Sequence, residues 1–143
     1  MSCSKTVFFY YDRGKSAGKY RVNSLEDLKK YKIGGVTGYF YEESFKEAGL
    51  KIDYVNSEIN ALEQLKIGRI DLMPVNELVG WNLINTHFPE DAHHFKTLAK
   101  PLNINSLRLI VSKDYPESKK LLERFNRALR DCLAKGLIRI EKC

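Results

Sequence analysis

The 143-residue chain has only three cysteines, Cys3, Cys132 and Cys143. Their spacing fits no C-x-x-C metal or redox pattern. Cys132 falls on an apolar helical stripe and reads as a small core residue, while Cys3 and Cys143 read as unconstrained. No apolar run is long enough to cross a bilayer. The opening M-S-C-S-K-T lacks the basic and then apolar regions of a secretory signal, and nothing apolar precedes Cys3 to suit lipid attachment. Walker, GxGxxG and Ser-His-Asp patterns are all missing, which leaves catalysis without a recognisable motif. There is no low-complexity segment and no repeat beyond an alternation of strands and helices.

What is present is globular. A composition of 43% hydrophobic and 29% charged residues supports one domain of ordinary size with a real core. The net charge is +6, but Lys and Arg read as spread along the chain among acids, with no aromatic-interleaved basic stripe. A solvated surface is therefore expected, and no nucleic-acid partner. His87, His93 and His94 lie close in sequence near Pro89 and read as surface histidines, not as a metal site.

The chain is organised around residues 32–41, K-I-G-G-V-T-G-Y-F-Y. Ile33 and Val36 suit a buried strand, Gly34 and Gly35 allow another backbone to pass close, and Gly38 permits a sharp turn. A helix is expected over 39–49, closing at Gly49. The free N–H groups and positive dipole end of a first helical turn can hold an anion or carboxylate, although an ordinary strand-to-helix turn gives the same pattern.

Around this centre, 6–11 is β-branched and aromatic and reads as a strand. A capping box at Ser24 and Asp27 opens a short helix. Residues 51–55 read as a second strand of the alternation and 70–75 as a third, with Pro74 arguing for its end or for an edge strand. Between them Ile59, Leu62 and Leu65 share one helical face that Gly68 closes, and Asn76 can cap a further helix whose apolar face includes Leu78, Val79, Trp81 and Ile84. Strands are also expected at 95–99 and 107–111. A long helix opens at Asp114 to Glu117, carries the stripe Leu121, Leu122, Phe125, Leu129, Cys132 and Leu133, and closes at Gly136. Asp71, inside a strand beside Arg69, reads as a structural hydrogen-bonding group. The alternation argues for an α/β fold of parallel units, with any ligand beyond the carboxyl ends of the strands.

Four segments then carry a resemblance: S-L-E-D-L-K-K-Y-K-I-G-G-V-T-G-Y-F-Y-E-E at 24–43, A-L-E-Q-L-K-I-G-R-I-D-L-M-P-V-N at 61–76, S-L-R-L-I-V-S-K-D-Y-P at 106–116 and L-L-E-R-F-N-R-A-L at 121–129. In order and spacing they resemble the second lobe of the bacterial extracellular solute-binding proteins of family 3, the binding components of ABC importers for polar amino acids. The resemblance implies a type II periplasmic-binding-protein-like lobe, mainly parallel and flanked by helices. It divides the chain into a crossover strand and loop at 1–21, the ligand-binding lobe at 22–105, and a return crossover strand with a C-terminal helix at 106–143.

By position, the resemblance implies solute contacts from Thr37, Gly38, Tyr39, Phe40 and Tyr41. Thr37 would hydrogen-bond the solute and the amides near 39–41 would meet a carboxylate. Asn76 stands where the family places an acid for the ligand ammonium, which counts against an ordinary α-amino acid. Tyr39, Phe40 and Tyr41 are bulkier than the small hydroxyl residues of amino-acid binders and suit stacking. No cofactor and no metal are implied. The expected partners are a small-molecule ligand and the membrane component of an ABC transporter, in the periplasm. Most of the first lobe is expected to be missing, which leaves the stripe of the long helix unburied and predicts a homodimer with swapped crossover strands. A remnant without ligand serving assembly or sensing, and a dehydratase-like lyase on the same fold, are the alternatives.

Overall fold

The computed structural model describes residues 3–14 and 19–139. They divide into two units, one running Lys5–Asn103 and the other taking the chain from Ile104 onward together with Cys3 and Ser4. Strand β1 (Cys3–Tyr11) has its first two residues in the smaller unit and the rest in the larger one, where Val7, Phe8 and Phe9 are buried in the core.

In the larger unit β1 is followed by β2 (Ile33–Val36), α1 (Glu42–Glu47), β3 (Ile52–Val55), α2 (Glu58–Ile67), β4 (Met73–Asn76), α3 (Glu77–His87) and β5 (Phe95–Thr97). A 3-10 helix at Leu25–Lys30 precedes β2, with the expected capping box at Ser24. β2 and β3 are parallel with Ile33 beside Ile52 and Val36 beside Val55. Ile33 also bridges Leu72 in parallel, just before β4. β1, by contrast, runs antiparallel to both β4 and β5, so the parallel character expected of the sheet stops at β4.

Alternation along β1 sends neighbouring side chains to opposite faces. Val7 and Phe9 join Leu62, Leu65, Met73 and Ile84 on the side of α2 and α3. Phe8 joins Leu28, Ile33, Tyr41, Phe45 and Leu72 on the other side. Beneath α3 the stripe differs from the one expected: Gly80 and Ile84 are buried, whereas Leu78 and Val79 are exposed. Gly80 lies against Phe9, whose ring also meets Trp81 edge-on at 5.3 Å.

Asp71 is structural. Its carboxylate accepts the Lys32 N–H at 2.9 Å, and the Asp71 N–H donates to the Lys32 carbonyl at 2.7 Å. His94 stacks on Tyr11 at the end of β1, and its Nδ1 is 2.9 Å from the Asp12 carbonyl, while His87 closes α3.

In the second unit, β6 (Asn103–Ser106) begins at the junction and α4 spans Ser118–Ala134. No strand forms at 107–111, where Leu107, Leu109 and Ile110 are exposed. α4 opens at Ser118, later than expected, because Glu117 takes a left-handed conformation (φ 61) ahead of it. It ends as expected before Gly136, whose N–H donates to Leu133. None of its residues is buried, so Cys132 is half-exposed and free instead of a core residue. Cys3, expected to be unconstrained, is disulfide-bonded.

A Cβ at position 80 would stand 2.6 Å from Phe9 Cζ and 2.9 Å from Val75 Cγ1. Overpacking of this kind costs about 1–3 kcal/mol, against a helix-propensity gain of about 1 kcal/mol. Gly80→Ala is expected to lower the urea midpoint, with a net loss of about 1 kcal/mol. A raised midpoint would mean the Phe9 ring yields freely.

Candidate functional site

The register of the parallel strands decides what meets at their carboxyl ends. Val36 and Val55 are neighbours, and extending the Ile33–Leu72 bridge along both strands brings Val36 level with Val75. Thr37 and Ser57 therefore follow the two paired strands β2 and β3, and Asn76 ends β4, which the single Ile33–Leu72 bridge sets beside β2. Thr6 lies there too, paired with Asn76 in the antiparallel ladder and largely buried.

The bend itself is built by Gly38, whose φ of +82° is strained for other residues. It is anchored to β3 by Thr37, whose N–H and hydroxyl both reach the Val55 carbonyl, at 3.1 and 3.4 Å. The Gly38 N–H donates to Glu42 Oε2 at 2.8 Å. The Tyr39 hydroxyl donates to the Glu58 carboxylate at the start of α2. Phe40 projects outward, 56% exposed.

Tyr41 corrects the expected contact set. It is fully buried, stacks on Phe45 at 4.9 Å, and its hydroxyl oxygen accepts the Val36 N–H at 2.9 Å. It holds the end of β2 in place and offers no face to a solute. Asn76 acts as a helix cap, its Oδ1 accepting the Val79 N–H at 3.1 Å. Ser57 caps α2 in the same way through the Asn60 N–H. α1 begins only at Glu42, later than expected, because residues 39–41 form a turn whose Tyr39 carbonyl accepts the Glu42 N–H. Thr37, Gly38, Tyr39 and Phe40 thus follow β2 and Asn76 ends β4 beside it, while Tyr41 is buried.

The amide grip expected for a carboxylate is altered by these contacts. At Gly38 the donor already faces a carboxylate of its own chain. The first residue of each of the three helices on this edge is an acid, Glu42, Glu58 and Glu77, where each complements a helix dipole. Burial, then the bond to Glu58, pushes the Tyr39 hydroxyl well above its ordinary pKa. Burial pushes Tyr41 up to about 12.

Solved structures share this architecture. An ancestral arginine-binding protein, solved with glutamine bound, matches with a TM-score of 0.57 at 25% identity, over 93% of this chain and 55% of its own. The L-cystine solute receptor of Neisseria gonorrhoeae, unliganded and open, matches with a TM-score of 0.64 at 21% identity, over 94% and 53%. The fold is that of the periplasmic solute-binding proteins. A histidine kinase sensor domain with similarity to periplasmic binding proteins matches as well, with a TM-score of 0.68 at 18% identity over 95% and 56%. The chain spans a little over half the length of each of these proteins. No family model and no curated sequence matches it.

Within this binding-protein fold, sequence reasoning missed Glu42, Glu58 and Thr6 as members of the edge. An acid opening each helix was the available signal for the first two; Thr6 depends on the antiparallel pairing of β1, which no local pattern announces. Two hollows, of about 200 and 260 Å³, lie between residues 20–25 and 98–102, with Lys100 Nζ bonded to the Asn23 carbonyl. None of the edge residues lines either hollow.

Of the eight tyrosines, Tyr11, Tyr20, Tyr39, Tyr41 and Tyr54 are all raised, burial being the first cause in each. A raised tyrosine keeps its proton in the folded chain after the unfolded chain has released it. The stabilisation is complete below pH ~10 and is lost as pH rises beyond it. Ultraviolet titration is expected to show fewer than half of the tyrosines ionised near pH ~10, the rest ionising at higher pH as the chain unfolds. Simple titration of all eight around pH ~10 would contradict the buried edge.

Proposed function

We propose that this chain binds a small polar solute at the edge formed by Thr37, Gly38, Tyr39, Phe40 and Asn76, as the solute-recognition part of an ABC-type importer in the periplasm, delivering to the transporter's membrane component. The fold and its binding-protein and receptor neighbours support the recognition step. A disulfide at Cys3 suits an oxidising compartment. The reading is non-enzymatic: Glu42 and Glu58 are engaged with Gly38 and Tyr39, which argues against a free acid or base over the bend.

One observation carries the ligand class. The donors at the bend are paired with carboxylates of the chain itself. An anionic solute would have to displace Glu42 and approach two negative charges. A solute with an ammonium or guanidinium group meets acceptors already in place, and charge-assisted bonds of this kind are the stronger ones. The amide of Asn76, standing where the family has an acid, then loses less than it would alone. We therefore favour a basic amino-acid-like solute over an organic anion. Phe40 supplies an exposed ring on which a planar cation can stack.

Two copies joined through α4 are a second reading of the assembly, favoured by the helix's exposed apolar face. Sensing in place of import would use the same binding step, as in the histidine kinase neighbour.

A thermal-shift panel tests the solute class. Basic amino acids are expected to raise Tm by several degrees at concentrations near 100 times Kd, where linkage contributes about 2.7 kcal/mol. Glu58→Gln is expected to weaken that shift. A response confined to acidic solutes, or no response to any, would overturn the reading.

A further inference from the structure

The two hollows beside residues 20–25 arise from a mismatch in the backbone pairing. The carbonyls of Thr6 and Phe8 accept the N–H groups of Leu102 and Leu98, at 2.8 and 2.9 Å. In a regular antiparallel ladder, acceptors two residues apart on one strand meet donors two residues apart on the other. Here the donors are four apart, so residues 99–101 carry surplus length and must bulge away from β1. The bulge leaves space next to Phe8 that residues 20–25 close only in part, and both hollows open there. Every residue that lines them belongs to the larger unit.

Their lining joins two kinds of chemistry. Phe8, Leu25 and Leu102 give the smaller hollow an apolar wall, and Tyr20 gives the larger one a ring held between Tyr10 and Tyr31 at 5.1 and 5.3 Å. The two hollows share Val22, Asn23 and Lys100, and Arg21 lines the larger. Lys100 and Arg21 are exposed, and among the described residues neither side chain is ion-paired. Lys100 Nζ donates to the Asn23 carbonyl at 2.6 Å, which leaves further N–H groups on the same ammonium. Among the described residues no carboxylate lines either hollow. Asp27 accepts the Asn23 and Ser24 N–H groups and meets Lys30, and Asp71 accepts the Lys32 N–H.

We propose that this flank is a second binding site, for a small organic carboxylate with a compact apolar body. The occupant follows from charge and size together. An inorganic anion would meet Lys100 and Arg21 but leave the wall of Phe8, Leu25 and Leu102 uncovered. A neutral apolar molecule would cover that wall and make no use of the two cations. A carboxylate on an apolar body does both, and its bonds to the ammonium and guanidinium are charge-assisted. A cavity of about 150 Å³ holds benzene, so hollows of about 200 and 260 Å³ have room for one ring with its carboxylate. The flank is independent of the solute edge: it shares none of Thr37, Gly38, Tyr39, Phe40 and Asn76, and it favours the opposite charge.

Backbone amide NMR of the full chain tests it, with benzoate as the probe, benzamide as a neutral molecule of the same shape, and inorganic phosphate as an anion without an apolar body. Benzoate is expected to give saturable shifts at Val22, Asn23, Leu25 and Leu102, with benzamide and phosphate each binding about tenfold more weakly or worse. Lys100→Gln is expected to weaken benzoate about tenfold. Because Lys100 also ties down Asn23, Arg21→Gln serves as a second variant that leaves this tie in place, and it is expected to weaken benzoate several-fold. Both side chains are exposed, and the urea midpoint of each variant checks that the fold is retained. Benzamide or phosphate binding as tightly as benzoate, no shift at these residues, or affinity unchanged in both variants would overturn the proposal. So would benzoate shifts confined to Thr37, Gly38, Tyr39 and Phe40, since the solute edge would then be the site.

Discussion

The parallel contact between β2 and the start of β4 is the constraint on which the rest of the larger unit depends. The Gly34 N–H donates to the Leu72 carbonyl at 2.9 Å, and Asp71 holds Lys32 through both its backbone N–H and its carboxylate. Position 34 has room for no side chain, since a Cβ there would land on the Ile70 Cδ1 methyl. That close approach sets the register, and the register puts the ends of β2, β3 and β4 on one edge. A one-residue slip would turn Ile33 out of the core and separate Thr37 from Asn76.

The edge that results is richer in acceptors than a bare set of helix N-termini. A helix start ordinarily offers N–H groups to an anion. Here Ser57 and Asn76 cap α2 and α3 with their own side chains, and Glu42 closes the Gly38 amide. The proposed preference for a cation rests on these same contacts, which also settle the backbone. Tyr41 supports the arrangement from below by satisfying the buried Val36 N–H, a donor whose loss of a partner would cost about 1–3 kcal/mol.

The central strand, the bend and the helix cap at Asn76 were legible in the sequence because each rests on local chemistry. Glycines mark close approach and a positive φ, and an Asn ahead of a helix marks a cap. Tyr41 was misread because three aromatics in a row, 39 to 41, look alike locally; only packing against Phe45 and Leu28 decides which one turns inward. The strand expected at 107–111 depended on a partner, and apolar alternation alone cannot provide one. The antiparallel course of β1 was hidden for a similar reason, since a buried strand carries no mark of its direction.

The central claim is that this edge receives a basic solute. Backbone amide NMR, with L-arginine and L-glutamate titrated separately at matched ionic strength, tests it most directly. The expected result is a saturable shift of the Thr37, Gly38, Tyr39, Phe40 and Asn76 signals with arginine, and little change with glutamate. Shifts that avoid this edge, or that appear there with glutamate alone, would contradict it.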